Sequence, residues 1–173
     1  MFLEKFELKG KGLKSSDIKD GSVLTLPWNP KLQYAWDTGH AVGSYLDGLK
    51  EGKLIGKKCT GCNRIMIPPR MFCELCFKDT ADWVELKDTG TVNTFSLCYV
   101  NWDASRLPQG AKPHLPAVVE IDGASEGMGI LHVLGEVDPK EVKIGMKVKA
   151  VWKPANERTG AITDIKYFKP FKG

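Results

Sequence analysis

The sequence reads Cys59-Thr-Gly-Cys62, then ten residues, then Cys73-Glu-Leu-Cys76, and this is its most informative segment. Two Cys-x-x-Cys knuckles on one short segment supply four thiolates, the ligand set of a closed tetrahedral zinc site with bonds of about 2.3 Å. No coordination position is then left for water. Gly61 can adopt the positive φ that such a bend often requires. The spacing predicts structural zinc held by Cys59, Cys62, Cys73 and Cys76.

Three other uses of these cysteines have to be weighed. Disulfides are typical of secreted mini-proteins, whereas a chain of 173 residues can bury a core without crosslinks. One Cys-x-x-Cys can be a thioredoxin-like redox pair, but here there are two, and neither opens a helix within a βαβ pattern. A rubredoxin-like iron site uses the same four thiolates, so a metal assay has to decide between zinc and iron.

Composition and charge are those of an ordinary globular protein. Hydrophobic residues make up 42% of the chain, enough for one medium domain or two small ones. The formal net charge of +4 falls to +2 when four thiolates and one Zn²⁺ are counted, so nucleic acid is not expected as the main partner. The sequence has no run of eighteen apolar residues and no signal-peptide pattern. We therefore expect a soluble, cytoplasmic protein without a membrane partner, whose thiols stay reduced.

Residues 1–36 are predicted to form an extended N-terminal arm. Short apolar pieces surround a stretch at 10–22 that is rich in Gly, Lys, Ser and Asp, and prolines near the end of the arm exclude a helix there. Trp28, Tyr34 and Trp36 are aromatic side chains of the kind that anchor protein interfaces. Covering the apolar face of the chain's own zinc module is an equally good use for them.

Residues 37–52 predict one amphipathic helix that ends at Gly52. Its apolar residues recur at helical spacing, and they are Val42, Tyr45, Leu46 and Leu49. No second helix is predicted to meet this stripe, so it either packs on the ribbon or contacts another subunit. Trp28, Trp36 and Tyr45 are therefore the candidate partner contacts.

The zinc ribbon is predicted over residues 53–82, and basic residues flank its knuckles. These are Lys57, Lys58, Arg64 and Arg70. They can form an anion-binding patch or balance the charge of a dianionic Zn(Cys)₄ centre, and we prefer the second explanation.

After Cys76 the pattern changes to short β segments separated by Gly and Pro. Six strands are predicted, at 83–86, 91–100, 117–121, 129–134, 147–152 and 162–168. One capped helical turn is expected at 138–142. This arrangement fits a C-terminal OB-fold barrel over 83–173. The predicted fold is therefore mainly β, with an N-terminal arm, an amphipathic helix, a rubredoxin-like zinc ribbon and the barrel.

The sequence offers no evident catalytic machinery. Cys98 is the only cysteine outside the knuckles, and in a predicted strand it is expected to be buried and inert. His132 lies in an apolar strand and His114 between two prolines, and neither has an acid at a spacing that predicts a dyad.

Several motifs follow one another between about Tyr45 and Lys153. They are Leu49-Lys-Glu-Gly-Lys-Leu54, the two knuckles, Pro68-Pro69-Arg70, Trp83-Val-Glu-Leu86, Gly90-Thr-Val92, Pro116-Ala-Val-Val-Glu-Ile121 and Val142-Lys-Ile-Gly-Met-Lys-Val148. In this order they resemble the family that joins a rubredoxin-like zinc ribbon to an OB fold and accompanies thiolase-type acyl-CoA enzymes. Asn63 stands where that family often has glycine, and asparagine tolerates the positive φ of the turn.

The resemblance implies a non-catalytic accessory subunit of a hetero-oligomeric thiolase-type enzyme, such as the small subunit of a benzoylsuccinyl-CoA-type thiolase. In such assemblies the thiolase-fold partner supplies the catalytic cysteine and histidines, while the small subunit stabilises it and can line the route of the CoA chain. Lys57, Lys58, Arg64 and Arg70 are then the candidate CoA-binding residues.

Two alternatives come from other functional classes. Zinc ribbons and OB folds also bind single-stranded nucleic acid, for which Phe95 and Tyr99 could supply stacking platforms. A rubredoxin-like electron carrier would instead contain iron and be coloured.

Overall fold

The computed structural model describes residues 12–26 and 31–172. The chain divides into two units, Met1–Trp36 and Asp37–Gly173. In the first unit, α1 spans Ser15–Lys19, and the Asp17 carboxylate accepts a hydrogen bond from the N–H of Lys14 at 2.9 Å. The prediction of a wholly extended arm is therefore wrong at this point, because a local side-chain cap stabilises one helical turn.

The long helix, α2, spans Gly39–Glu51. At its start the Asp37 carboxylate accepts a hydrogen bond from the N–H of Gly39 at 2.8 Å. It ends at Gly52, whose φ of 80° allows its N–H to reach the carbonyls of the last turn. Of the two predicted uses of its apolar stripe, the structure shows packing within the domain, against β1 and the 3₁₀ turn Ile162–Asp164.

The ribbon is a three-stranded antiparallel sheet in the order β2-β1-β3. Its strands are β1 (Leu54–Cys59), β2 (Ile65–Met66) and β3 (Thr80–Leu86). We expected the strand at 83–86 to begin the barrel, but it starts at Thr80 and pairs with β1. The apolar alternation that predicts a strand does not specify which sheet the strand joins.

The barrel is a five-stranded sheet in the order β6-β5-β4-β7-β8. Its strands are β4 (Thr89–Phe95), β5 (Pro116–Ile121), β6 (Gly129–Val133), β7 (Lys147–Trp152) and β8 (Ile165–Pro170). Each strand runs antiparallel to its neighbour in the sheet, and a parallel bridge between Leu134 and Phe168 brings the two edges together. This topology confirms the predicted OB fold. Gly90 allows β4 to approach β5 closely, because an added Cβ would collide with the carbonyl oxygen of Glu120.

The helix, the ribbon and the barrel share one apolar core. Leu49 of α2, Leu54 of β1 and Leu86 of β3 are buried with Val92 of β4 and Phe168 of β8. The ribbon therefore packs against the barrel within the second unit. Of the helices that the structure describes, none has the length and hydropathy needed to cross a membrane.

Three predicted elements differ locally. The strand predicted over 162–168 begins as the 3₁₀ turn Ile162–Asp164, and β8 starts only at Ile165. Residues 138–142 form a hydrogen-bonded turn without a helix, in which the N–H of Glu141 reaches the carbonyl of Asp138 at 2.9 Å. The strand predicted over 91–100 stops at Phe95. Beyond it, isolated bridges join Cys98 to His114 and Val100 to Arg106.

Candidate metal centre and flanking surface

The four cysteine sulfurs of the knuckles converge on one point, all within 4.8 Å of one another. The Sγ atoms of Cys59 and Cys76 are 3.4 Å apart, those of Cys62 and Cys73 are 3.7 Å apart, and those of Cys62 and Cys76 are 3.8 Å apart. A regular tetrahedron with metal–sulfur bonds of about 2.3 Å has edges of about 3.8 Å. The separations therefore fit one four-coordinate ion.

The two knuckles are built alike. In each, the N–H of the first cysteine bonds to a carbonyl five residues on, from Cys59 to Arg64 at 2.8 Å and from Cys73 to Lys78 at 2.9 Å. In each, the residue after the second cysteine is left-handed, with φ of 58° at Asn63 and 55° at Phe77. The expectation for Asn63 is confirmed. This repeated turn directs both pairs of sulfurs toward the same point.

Gly61 has a different role from the one expected. It is absent from the positive-φ glycines of the described residues, and instead it packs closely against the second knuckle. An added Cβ would lie 2.9 Å from Cγ of Lys78 and 3.3 Å from Sγ of Cys76. Its small size, rather than its backbone freedom, lets the two knuckles meet.

Backbone N–H groups favour the thiolate form of the ligands. The amides of Cys62 and Gly61 lie 3.5 and 3.3 Å from Sγ of Cys59. The Cys62 amide is the main reason that the pKa of Cys59 is lowered to about 6. The Cys76 amide likewise lowers the pKa of Cys73. The amides of Arg64 and Lys78 act in the same direction on Cys62 and Cys76, but hydrogen bonds with the Cys59 and Cys73 sulfurs, together with burial, outweigh them, so the pKa of Cys62 is raised and that of Cys76 is raised to about 11. Cys59 and Cys73 thus favour the thiolate, the form that binds metal, and a bound cation would displace the protons of the other two.

Lys57 lies inside the domain. It is only 4% exposed, its Nζ donates to the carbonyl of Thr80 at 3.2 Å, and it sits 4.9 Å from the ring centroid of Trp83. The prediction that Lys57 binds CoA conflicts with this burial, because an enclosed ammonium has no room for a phosphate. Lys58, the next residue of β1, points to the other face and is partly exposed.

Arg64 and Arg70 converge on the second knuckle. Nε of Arg64 and one terminal nitrogen of Arg70 each lie 3.4 Å from the carboxylate of Glu74, which stands between Cys73 and Cys76. One carboxylate shared by two guanidinium groups leaves an excess of one positive charge beside the sulfurs. The structure thus brings Arg64 and Arg70 together but places Lys57 and Lys58 on opposite faces of β1.

The candidate partner contacts fall in three different environments. Tyr45 is 4% exposed within the core, and burial raises the pKa of its hydroxyl to about 12. Its predicted role as a partner contact conflicts with this position, because α2 turns the ring inward. Trp36 is 84% exposed. Trp28 lies outside the described residues.

Cys98 and the histidines have local partners. Cys98 is half-buried in the loop after β4, not in a buried strand as expected, and its thiol donates to the carbonyl of Val100 at 3.2 Å. Nε2 of His114 lies 3.2 Å from the amide oxygen of Asn101, and Nε2 of His132 lies 3.3 Å from the carbonyl of Ile162. The hydrogen-bond partners of these three side chains among the described residues are amide and carbonyl oxygens.

Two exposed apolar surfaces were missed by the sequence reasoning. One surrounds the second knuckle and comprises Met71, Phe72, Leu75 and Phe77. The other lies in the loop between β4 and β5 and comprises Leu97, Tyr99, Val100 and Trp102. Apolar residues in segments rich in Gly and Pro could have indicated these surfaces. The sequence does not show, however, whether such residues are exposed, because that depends on the tertiary fold.

Two family models match successive parts of the second unit. The family model for the rubredoxin-like zinc ribbon domain of ChsH2 matches residues 46–81, and that for the C-terminal OB-fold domain of ChsH2 matches residues 83–153. A DUF35 domain-containing scaffold protein of Methanocaldococcus jannaschii is 31% identical over 122 residues, covering 69% of this chain and 82% of that protein.

Two solved structures have a similar fold. A DUF35 family protein of unknown function from Sulfolobus solfataricus aligns with a TM-score of 0.55 at 29% identity, over 74% of this chain and 83% of that one. A chain of the Ltp2-ChsH2(DUF35) aldolase aligns with a TM-score of 0.55 at 21% identity, over 82% of this chain and 98% of that one.

Proposed function

The chain belongs to the DUF35 family, and from this premise we propose that it is a non-catalytic, zinc-binding accessory subunit of a hetero-oligomeric thiolase-type acyl-CoA enzyme. The observation that carries the proposal is the closed four-sulfur site, which braces two knuckles and leaves no ligand position for a substrate. The relative from Methanocaldococcus jannaschii is named a scaffold protein, and the similarly folded ChsH2 chain belongs to an aldolase with Ltp2.

Zinc is the metal that we propose for this site. Four thiolates in tetrahedral arrangement suit zinc or iron, and a closed zinc site contributes folding energy without redox chemistry. When bound, the ion would hold the ends of β1 and β3 together through the knuckles that follow and precede them. Metal analysis of the purified protein tests this choice, since iron would make it coloured.

An exposed apolar surface supports the assignment to a partner subunit. Four exposed apolar side chains lie in the seven-residue segment 71–77 that contains the second knuckle, and they are Met71, Phe72, Leu75 and Phe77. Soluble monomers rarely present large contiguous apolar patches, and those that do usually bind another protein there. We propose that this knuckle surface, together with Trp36 and Trp28 of the arm, contacts a thiolase-fold subunit.

The remaining basic residues support a CoA site at the edge of the ribbon. Arg70 is half-exposed and shares Glu74 with Arg64, and Lys58 is partly exposed without an ion pair among the described residues. Guanidinium groups bind phosphate through paired hydrogen bonds, and lysine adds a point charge. We propose that Lys58, Arg64 and Arg70 hold the phosphates of CoA at the subunit seam.

Co-purification from the native host tests the accessory role. We expect the tagged chain to bring down a thiolase-fold protein in fixed stoichiometry, and acyl-CoA turnover to require both subunits. A solitary monomer that turns over acyl-CoA fully, or one that instead binds single-stranded nucleic acid with a steep salt dependence, would refute the proposal.

Calorimetric titration of the complex with CoA tests the proposed phosphate contacts. The double variant Lys58→Ala/Arg70→Ala removes two cations and should weaken CoA binding by about tenfold or more, since a charge-assisted hydrogen bond contributes about 1.5–3 kcal/mol. Lys143→Ala, which removes an exposed cation from the turn before β7, is the matched control and should leave CoA affinity unchanged. Equal affinity in the double variant would remove CoA from the proposal.

A further inference from the structure

The loop between β4 and β5 is an ordered hairpin, which we call the β4–β5 extension (residues 96–115). Backbone hydrogen bonds of 2.9 Å continue the pairing of the two strands beyond the sheet, between Ser96 and Pro116 and in both directions between Cys98 and His114. A further bond of 2.9 Å, from the N–H of Leu107 to the carbonyl of Tyr99, closes a second and tighter hairpin at the tip. The β4–β5 extension is therefore a hydrogen-bonded projection of the barrel and not an irregular loop.

The tip of this extension is held by its own polar side chains. The N–H of Ser105 donates to the Asp103 carboxylate at 3.0 Å and its hydroxyl donates to the same oxygen at 2.6 Å. The Asn101 side-chain amide donates to the Ser105 hydroxyl at 3.0 Å, and Nε2 of His114 lies 3.2 Å from Oδ1 of Asn101. Ala104 adopts a φ of 66°, a left-handed conformation that costs a non-glycine residue free energy and persists only where its surroundings stabilise it. The tip is therefore preorganised.

This preorganised tip presents Trp102, whose side chain is 99% exposed. Tyr99, Leu97 and Val100 of the same extension are also exposed. None of the described residues covers the Trp102 indole, which is therefore exposed to water. Tryptophan and tyrosine are the residues that most often dominate binding energy, and a rigid anchor loses little conformational entropy on binding.

Basic side chains lie on the extension that carries Trp102 and at its base. Arg106 and Lys112 are exposed, make no ion pair among the described residues, and outnumber Asp103, the one carboxylate of residues 96–115. At the base, Lys112 and Lys140 line a cleft of about 280 Å³ beside Leu97 and Tyr99, again against one carboxylate, that of Asp138. The extension and the cleft therefore each carry an excess of one positive charge, which favours a partner surface rich in carboxylates.

We propose that the β4–β5 extension is the docking anchor of this subunit, and that Trp102 enters an apolar socket edged by carboxylates on the thiolase-fold partner. This inference rests on the proposed function. It names the element that binds the partner and the chemistry of the site that receives it. Arg106, Lys112 and Lys140 steer the approach of the acidic rim.

The test uses the complex of the full-length chain with the thiolase-fold protein that co-purifies with it. Trp102→Ala should weaken binding at least about 30-fold, as expected for a hot-spot residue, while the melting temperature of the free subunit stays unchanged because the side chain contacts solvent. Trp102→Phe should recover much of the affinity. Ile144→Ala removes another exposed apolar side chain and should bind like the wild type.

Charge reversal tests the acidic rim separately. Arg106→Glu/Lys112→Glu should slow association by about tenfold at low salt and reduce its salt dependence. Unchanged affinity of Trp102→Ala for a partner that binds the wild type would overturn the docking assignment and leave the accessory role intact. A wild-type chain that binds no thiolase-fold protein would overturn both.

Discussion

Removal of one metal ligand is the perturbation with the most specific expected result. Cys73→Ser replaces a fully buried thiolate whose Sγ lies 3.7 Å from that of Cys62. Binding of structural zinc contributes about 10–16 kcal/mol to the folding of four-ligand zinc peptides at neutral pH. Even a quarter of that energy, about 2.5–4 kcal/mol, is a large part of the total stability of about 5–15 kcal/mol of a typical domain.

The loss should be confined to the knuckles. Among the described residues, the apolar cluster at the knuckles has Cys59, Met66 and Cys73 as its buried members. The larger core joins α2, the base of the ribbon and the barrel; it includes Ile67, which lies between the knuckles, but none of the four cysteines. We therefore expect residues 60–64 and 70–79 to unfold locally in Cys73→Ser while β4 to β8 stay folded.

Metal analysis and hydrogen exchange provide the readout. Wild-type protein should contain one zinc per chain, and the amides of Cys59 and Cys73, which bond to Arg64 and Lys78, should exchange slowly. Both properties should be lost in Cys73→Ser and retained in Cys98→Ser, whose thiol bonds only to the carbonyl of Val100. One zinc per chain and unchanged protection over residues 60–64 and 70–79 in Cys73→Ser would refute this reasoning.

Two further predictions concern the domain that carries the ribbon. Asp164 is fully buried, and although burial raises its pKa, the N–H groups of Thr159, Ala161 and Gly160 bond to its carboxylate and hold the pKa below its usual range. A lowered folded-state pKa contributes stability that is present above the unfolded value of about 3.9 and is lost as pH falls through the folded value. Asp164→Asn should therefore cost about 1–3 kcal/mol at pH 7, measured by urea unfolding, and the difference from wild type should shrink below about pH 4; a constant difference would contradict the pH argument. Leu49→Ala should cost about 3–5 kcal/mol in the same assay because Leu49 is 0% exposed within the shared core, whereas Val42→Ala on the exposed side of α2 should cost less than about 1 kcal/mol. Similar losses in the two variants would mean that α2 does not pack as described.

Much of the metal site and the barrel could be predicted from local sequence pattern. A Cys-x-x-Cys pair brings two sulfurs together over one turn, so two such pairs specify a four-sulfur site before the fold is known. The positive φ at Asn63 follows from the same local geometry. Alternating apolar residues likewise placed β5 and β7 to within one residue of their observed bounds.

Other features depended on which surfaces pack together. The sequence suggested Lys57 and Tyr45 as exposed functional candidates, yet both are buried. Trp83 of the neighbouring strand β3 packs on the Lys57 ammonium group, and α2 turns Tyr45 into the shared core. The sharing of Glu74 by two arginines brings together residues from separate parts of the ribbon loop.

Local patterns in the sequence were enough to predict the four-cysteine cluster, helix α2 and most of the barrel strands, because each depends on residues close together in the chain. The pairing of Thr80–Leu86 with the ribbon sheet, the burial of Lys57 and the exposure of Trp102 depend instead on the tertiary structure. These outcomes depend on pairing and burial between distant segments, and the free energy of that packing is not encoded in any local spacing.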